Sequence, residues 1–273
     1  MPRLPHPLSD QSFAWLQAYF EQASGIRLRP EKKMLVISRL QKRLEARRLP
    51  GFDAYCALLR DPAEEAERQK MLDALTTHET YFFREPRQHE HFAQTALPGF
   101  KRKPVKVWSA ACSSGEETWS LAMQLAEHFG LHGWELTGSD ISTQVLEHAA
   151  RGLYPLERLQ NMPERTLHRW CRKGLERYHG QFLIAPALRQ RVRFQQHNLL
   201  EPASALGEFD VVFLRNVLIY FDAPRRSRIL AHVVACLQPG GYLYLGESET
   251  LTALPAGMQQ TGTAVFRRTQ PTK

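Results

Sequence analysis

The hydrophobic periodicity of this chain changes once, at the basic tetrapeptide Lys101–Pro104, and that change confines the fold more than any other feature. Before it, from Ser9 to about Thr77, apolar residues recur only at helical spacing. Helices are expected at Ser9–Ala23, Pro30–Arg48, Gly51–Leu59 and Ala63–Leu75. Asp10, Asp53 and Asp61 lie near the starts of these segments, where an acid caps free amides or meets the positive end of the helix dipole. After it, short apolar runs alternate with amphipathic ones. VKVWSA (Val105–Ala110), WELTGS (Trp134–Ser139), FDVVFLRN (Phe209–Asn216) and YLYLGES (Tyr242–Ser248) read as strands. Glu117–Phe129, Ser142–Gly152 and Pro224–Leu237 read as helices. Strands alternating with helices imply a parallel sheet covered on both faces, a doubly wound α/β arrangement. The final FRRT (Phe266–Thr269) suits an edge strand. The expected organisation is an all-helical N-terminal domain over 1–77, a linker over 78–104 and an α/β domain over 105–273.

With 273 residues and 43% hydrophobic content, the chain can bury one full domain and a smaller attached one. No apolar run reaches the roughly 18 residues of a membrane span, and MPRLPHPLSD lacks the apolar centre of a signal peptide. Cys56, Cys112, Cys171 and Cys236 are far apart and form no metal-type pair, so reduced thiols and a cytoplasmic protein are expected. The net charge of +8 is unevenly spread: nine Lys or Arg residues fall between Arg27 and Arg48, against Glu31 and Glu45. Leu35, Val36, Ile37, Leu40 and Leu44 supply an apolar side to that stretch. It therefore reads as a helix with one buried and one basic face, either simply solvated or a docking surface for an acidic protein or nucleic acid.

Ligands of a parallel sheet lie at the carboxyl ends of its strands. The first strand runs into SAACSSGEE (Ser109–Glu117), a loop of small residues that lets a ligand approach the backbone. Two glutamates at the following helix start disfavour a pyrophosphate and suit an ammonium group. The second strand ends at Asp140, which can accept hydrogen bonds from both ribose hydroxyls or else cap the next helix. Asn198, in HNLL (His197–Leu200), can read an adenine edge, and Arg215 and Asn216 interrupt an apolar strand at its ligand end. Ahead of them all, TTHETYFFRE (Thr76–Glu85) sets polar groups against Tyr81, Phe82 and Phe83 instead of on an opposite face. A nucleoside with an amino acid tail and a positive sulfur, S-adenosylmethionine, fits each of these ends.

TTHETYFFRE, VWSAACSSGEETWSLAM, the strand ending in Asp140, HNLL and RNVLIYFD, in that order, resemble the CheR-type chemotaxis receptor methyltransferases over nearly the whole chain. The resemblance implies O-methylation of glutamate side chains on the cytoplasmic signalling helices of chemoreceptors, with S-adenosylhomocysteine as the product and a monomer as the working form. By motif, His78, Thr80 and Arg84 contact the cofactor from the linker side. Glu117 takes its amino acid portion, Asp140 its ribose, Asn198 and Leu199 the adenine region, and Arg215 and Asn216 line the floor. Arg84 and Tyr220 act near the transferred methyl, and Lys42 and Arg43 on the basic helix are the expected docking residues. Thr118-Trp119 and Cys112 depart from the family pattern without removing a polar ligand.

The resemblance also implies a small β-subdomain, placed here at about 172–196 with QFLIAP and RVRFQQ as its short strands. In some members it captures a receptor pentapeptide through a Gly-x-Gly-x-x-x-Gly turn, where this chain has Gly174-Leu-Glu-Arg-Tyr-His-Gly180. Without the middle glycine a positive φ is disfavoured, and Arg177 and Tyr178 crowd the edge; a pentapeptide tether is therefore expected not to be required.

The chemistry agrees with the residue types. A glutamate, with a reference pKa of about 4.3, is already an anion at neutral pH and needs no general base. It needs in-line placement and removal of water, which a guanidinium and a phenol such as Arg84 and Tyr220 can supply. The histidines show no metal-site spacing. A nucleic-acid methyltransferase is the rival enzyme, but the Asn/Asp-Pro-Pro-aromatic and Pro-Cys patterns of base modification are missing at Arg215–Leu218. A scaffold that senses the cofactor without turnover is the non-enzymatic alternative, against which Arg84, Asp140 and Tyr220 stand.

Overall fold

The computed structural model describes residues 6–159, 161–249, 251 and 254–269, and divides into two compact units. The first ends at Thr77 and also takes in Ile141–Gln144. It holds α1 (Asp10–Ser24), α2 (Lys33–Arg47), α3 (Phe52–Arg60) and α4 (Glu65–Leu75), with a 3-10 turn at Pro30–Lys32 leading into α2. Ser9 caps α1 by accepting the Ser12 amide at 3.1 Å, and Gly25 ends it in the left-handed region at φ 75°. Asp53 accepts the Ser9 and Ser12 hydroxyls at 3.1 and 2.5 Å, joining the starts of α1 and α3. Leu16, Phe20, Val36, Leu40, Leu44, Tyr55 and Met71 meet in a dry core. Each such side chain contributes roughly 1.5–3 kcal/mol by leaving water.

The second unit is built on a seven-stranded sheet of order β6-β2-β1-β7-β8-β10-β9. Its strands are β1 (Val105–Ala110), β2 (Trp134–Asp140), β6 (Val192–Gln196), β7 (Phe209–Leu214), β8 (Leu237–Leu245), β9 (Met258–Gly262) and β10 (Val265–Arg268). The first five pair in parallel, whereas β10 runs antiparallel to both β8 and β9. Its helices are α5 (Pro86–His91), the one-turn α6 (Leu97–Gly99), α7 (Glu116–Phe129), α8 (Thr143–Arg151), α9 (Glu164–Trp170), the short α10 (Pro186–Arg189) and α11 (Ala223–Ala235). A π-helical turn, Phe92–Ala96, joins α5 to α6. Strand order reverses between β1 and β7, which makes the carboxyl ends of β1, β2 and β7 the expected place for a ligand. Beneath it Phe213 and Tyr244 stack at 4.2 Å, with Phe92 edge-on to Phe213 at 5.3 Å.

Three expectations are corrected. The FRRT segment is not an edge: Val265 and Phe266 are buried because β10 lies between β8 and β9, and β9 is the edge. Its sequence, MQQTG, carries no apolar alternation and reads as loop. RVRFQQ does not belong to the small sheet, since Val192–Gln196 pairs in parallel with Leu136–Asp140. The small antiparallel sheet is β3 (Leu153–Pro155), β5 (Gln181–Ile184) and β4 (Cys171–Lys173), in the order β3-β5-β4. The insert therefore begins some twenty residues earlier than expected and closes before β6. The third correction is in its turn. Glu176 adopts φ 50° without being glycine, so the missing glycine does not bar the left-handed conformation. Gly174 is required for a different reason, because a Cβ there would lie 2.2 Å from the Tyr178 carbonyl oxygen. Arg177 lies over the Tyr178 ring at 4.8 Å.

Candidate functional site

The segment from His78 to Glu85 is irregular backbone held by its aromatics. Phe82 and Phe83 are buried, Phe82 meets Tyr154 edge-on at 5.1 Å, and the Phe83 amide donates to Ser120 Oγ at 3.0 Å. Phe83 and Glu85 take left-handed φ of 52° and 58°, which turns the chain into α5. Thr80 is buried, and its carbonyl accepts from Arg158 at 2.8 Å. The half-buried His78 accepts the Ser113 hydroxyl at its carbonyl, 3.2 Å away. Arg84 donates to the Glu79 carbonyl at 3.1 Å and lies over the Tyr81 ring at 5.5 Å.

The loop from β1 to α7 carries three left-handed residues, Ala111 (φ 56°), Ser113 (φ 51°) and Gly115 (φ 94°). At Gly115 a Cβ would lie 2.6 Å from the Ala149 Cβ, so no other residue fits the turn. Asp140, at the end of β2, accepts the Ser113 amide at 2.9 Å, and its carbonyl accepts the His197 amide at 3.0 Å. It thus ties the small-residue loop to HNLL. Asn198 accepts the Leu200 amide at 3.1 Å, and Leu199 is buried.

Two glutamates open α7 and face different partners. Glu117 accepts from Ser109 Oγ at 2.7 Å and from Arg215 Nη1 at 3.2 Å. Glu116, 1% exposed, accepts from Ser114 Oγ at 2.6 Å. Burial pushes both carboxyls above the usual range, against the opposing pull of Arg215 on Glu117.

Arg215 is the centre of a buried network. Besides Glu117, its guanidinium reaches Glu85 at 3.1 Å and the Arg84 carbonyl at 2.5 Å, while its Nε is buried without a partner. Asn216, held at φ 56°, donates its side-chain amide to Glu85 at 3.0 Å. Glu249 accepts three amides, from Asn216 at 2.9 Å, Leu218 at 2.7 Å and Gly246 at 2.8 Å. It thereby fixes the 3-10 turn Leu218–Tyr220 against the end of β8. The Tyr220 hydroxyl has no hydrogen-bond partner among the described residues.

The structure therefore gathers the side chains of Glu117, Arg215 and Asn216 and the Arg84 carbonyl into one network, leaves the Arg84 guanidinium outside it, and joins Asp140 to the β1–α7 loop. Lys42 and Arg43 belong to the helical unit, where Lys42 is exposed. Arg43 is not a free cation: it makes a bidentate pair with the buried Glu67 at 2.8 and 2.7 Å. Sequence reasoning missed Glu85 and Glu249. Glu85 looked like the last letter of an aromatic motif. Glu249 sits beyond the YLYLGES strand, where its position at a strand's carboxyl end was the available signal. All four cysteines are free and buried, and burial pushes the Cys112 thiol upward, away from reactivity. Among the described residues no group of His, Cys, Asp or Glu is placed to hold a metal ion, and no helix is long and apolar enough to cross a membrane.

The doubly wound sheet, the acids that open α7 and end β2, and a family match over residues 78–266 define the class, a methyltransferase that uses S-adenosylmethionine. Residues 78–266 match the family described as "CheR methyltransferase, SAM binding domain", and residues 11–76 match "CheR methyltransferase, all-alpha domain". The chain belongs to the CheR methyltransferase family. It is 38% identical to chemotaxis protein methyltransferase 2 of Pseudomonas aeruginosa, over 96% of this chain and 97% of that one. It is 37% identical to the chemotaxis protein methyltransferase of Klebsiella aerogenes, over 97% and 91% of the two chains. For that of Escherichia coli the values are 36%, 95% and 91%.

Proposed function

We propose that this methyltransferase esterifies glutamate side chains on the cytoplasmic signalling helices of chemoreceptors, in chemotactic adaptation. The observation that carries the reading is the pair of side chains left outside the buried network. The Arg84 guanidinium makes one hydrogen bond, to a carbonyl, beside its contact with the Tyr81 ring, and the Tyr220 hydroxyl makes no hydrogen bond among the described residues. A guanidinium and a phenol are what an incoming carboxylate needs, two donors to orient its oxygens with no base to remove a proton. The chemotaxis names of the relatives support the same substrate class.

The donor set fits S-adenosylmethionine. Arg215 lies between Glu85 and Glu117, two carboxylates against one guanidinium, and the residual negative charge suits an ammonium group. Asp140 suits hydroxyl donors, and Asn198 with Leu199 suits a flat heterocycle with polar edges. His78 and Thr80 belong to the segment that covers the same loop. When bound, the cofactor supplies an electrophilic methyl group on a sulfonium. Arg84 and Tyr220 hold the glutamate carboxylate in line and apart from water, and Glu249 keeps the Tyr220 turn in place. S-adenosylhomocysteine keeps the groups these residues address and acts as a product inhibitor.

Lys42 steers an acidic receptor helix, with Arg27, Arg29 and Lys32 also exposed on that stretch. A pentapeptide tether is not required, a reading that rests only on the exposed, stacked Arg177 and Tyr178 in the turn between β4 and β5. Incubation with methyl-labelled cofactor and either receptor fragments or DNA tests the whole reading. Label on the receptor that mild alkali releases as methanol is expected. Alkali-stable label, or label on DNA, overturns it.

A further inference from the structure

The insert that carries the small sheet reaches the cofactor site twice. Tyr154 of β3, buried against Phe82 and Phe182, donates its hydroxyl to the Ser114 carbonyl at 2.6 Å. Four residues on, Arg158 donates to the Thr80 carbonyl at 2.8 Å and lies 3.7 Å from the Glu116 carboxylate. Thr80 and Glu116 belong to the two segments that flank the cofactor, one ahead of α5 and one opening α7. We propose that Arg158 is a positioning residue for cofactor binding, bridging Thr80 and Glu116 so that these segments keep a fixed separation.

The chemistry of the contact supports a bridge over a surface ion pair. Exposed pairs contribute little, and Arg158 is 42% exposed, but its partner Glu116 is 1% exposed and the Thr80 carbonyl is a neutral acceptor. Both contacts come from one nitrogen, Nη1, whose direction the planar guanidinium holds, whereas the shorter lysine side chain reaches the two acceptors poorly. Burial pushes Glu116 up and the Ser114 hydroxyl and Arg158 draw it down, so the bridge also helps keep that carboxylate charged beside Ser114. The insert is thereby part of the cofactor site and not only an outward surface.

This proposal rests on S-adenosylmethionine being the cofactor, and calorimetry of the full chain with S-adenosylhomocysteine separates the two. Wild-type protein that fails to bind overturns the cofactor assignment and the proposal together. Given wild-type binding, Arg158→Met is expected to weaken affinity about tenfold, with receptor KM unchanged and the unfolding temperature within a degree or two of wild type. Arg158→Lys, which retains the charge and one donor nitrogen but has a shorter reach, is expected to recover part of that loss. Unchanged affinity in Arg158→Met overturns the proposal. So does an equal loss in both variants that tracks a fall in unfolding temperature, since that is the signature of a purely structural contact.

Discussion

Each unit buries one cluster of arginine and glutamate, and the two clusters are built to opposite ends. In the helical unit Glu67, fully buried, accepts both arms of Arg43, one from Arg47 at 3.5 Å and the Tyr55 hydroxyl at 3.1 Å, while Arg47 also grips Glu64. In the sheet unit a single buried arginine, Arg215, lies between Glu117 and Glu85 with its Nε unpartnered. Burial raises a carboxyl in both places. At Glu67 the Arg43 hydrogen bonds and charge overcome it and bring the group below its ordinary range; at Glu117 burial prevails over Arg215. The first cluster is saturated and holds helices. The second has more acid than base, which is the condition for holding a cationic group.

The largest effects break this contrast directly. Arg215→Met strands Glu85 and Glu117 together, and a loss of about 3–5 kcal/mol in chemical denaturation is expected, along with loss of S-adenosylhomocysteine binding. Glu67→Gln is expected to cost stability of similar order while leaving the affinity of the folded fraction unchanged. Equal damage to affinity in both would erase the distinction between the clusters. Next in size, Asp140→Ala is expected to weaken the same ligand by roughly 1.5–3 kcal/mol, or about ten- to a hundredfold, in calorimetry of the folded protein.

A smaller effect separates the two docking candidates. Lys42→Glu is expected to raise receptor KM several-fold at low salt with unaltered unfolding temperature. Arg43→Glu is expected to lower that temperature as well, because it uncovers Glu67. Rates for Lys42→Glu that match wild type at low salt would remove that residue from the interface.

A further contrast is in pH. Burial first, and the charge of Arg215 second, depress the His89 imidazole to about 3. Its neutral form therefore supports the fold above the ordinary value near 6.5, and that support is lost as pH falls toward about 3. His89→Phe should flatten the acid limb of a stability–pH curve. Glu117 has the opposite sign: raised by burial, its protonated form favours the fold at low pH, and that contribution fades as pH rises through its elevated value. If Glu117 takes the ligand's ammonium group as proposed, ligand affinity is expected to fall on acidification, and Glu117→Gln should weaken that dependence.

Side-chain pattern alone was enough for the elements and their class. Helical spacing over residues 10–75, the strands at Val105–Ala110 and Phe209–Leu214 and the acid ending β2 all follow from side-chain periodicity, which neighbouring residues impose on the backbone before any tertiary contact forms. Polar residues at the carboxyl ends of apolar strands were likewise legible, because a buried strand tolerates them only at its end. Only the tertiary structure decided which β-segment joins which sheet. RVRFQQ reads as a strand without saying which sheet it joins, MQQTG carries no pattern that distinguishes a sheet edge from a loop, and pairing is settled by backbone hydrogen bonds to strands far away in the chain. It also decided what each charge does. Glu67, Glu85 and Glu249 look like ordinary surface acids in sequence, and only burial beside a specific partner turns Glu67 into a helix clamp, Glu85 into a partner of Arg215 and Glu249 into the anchor of a turn.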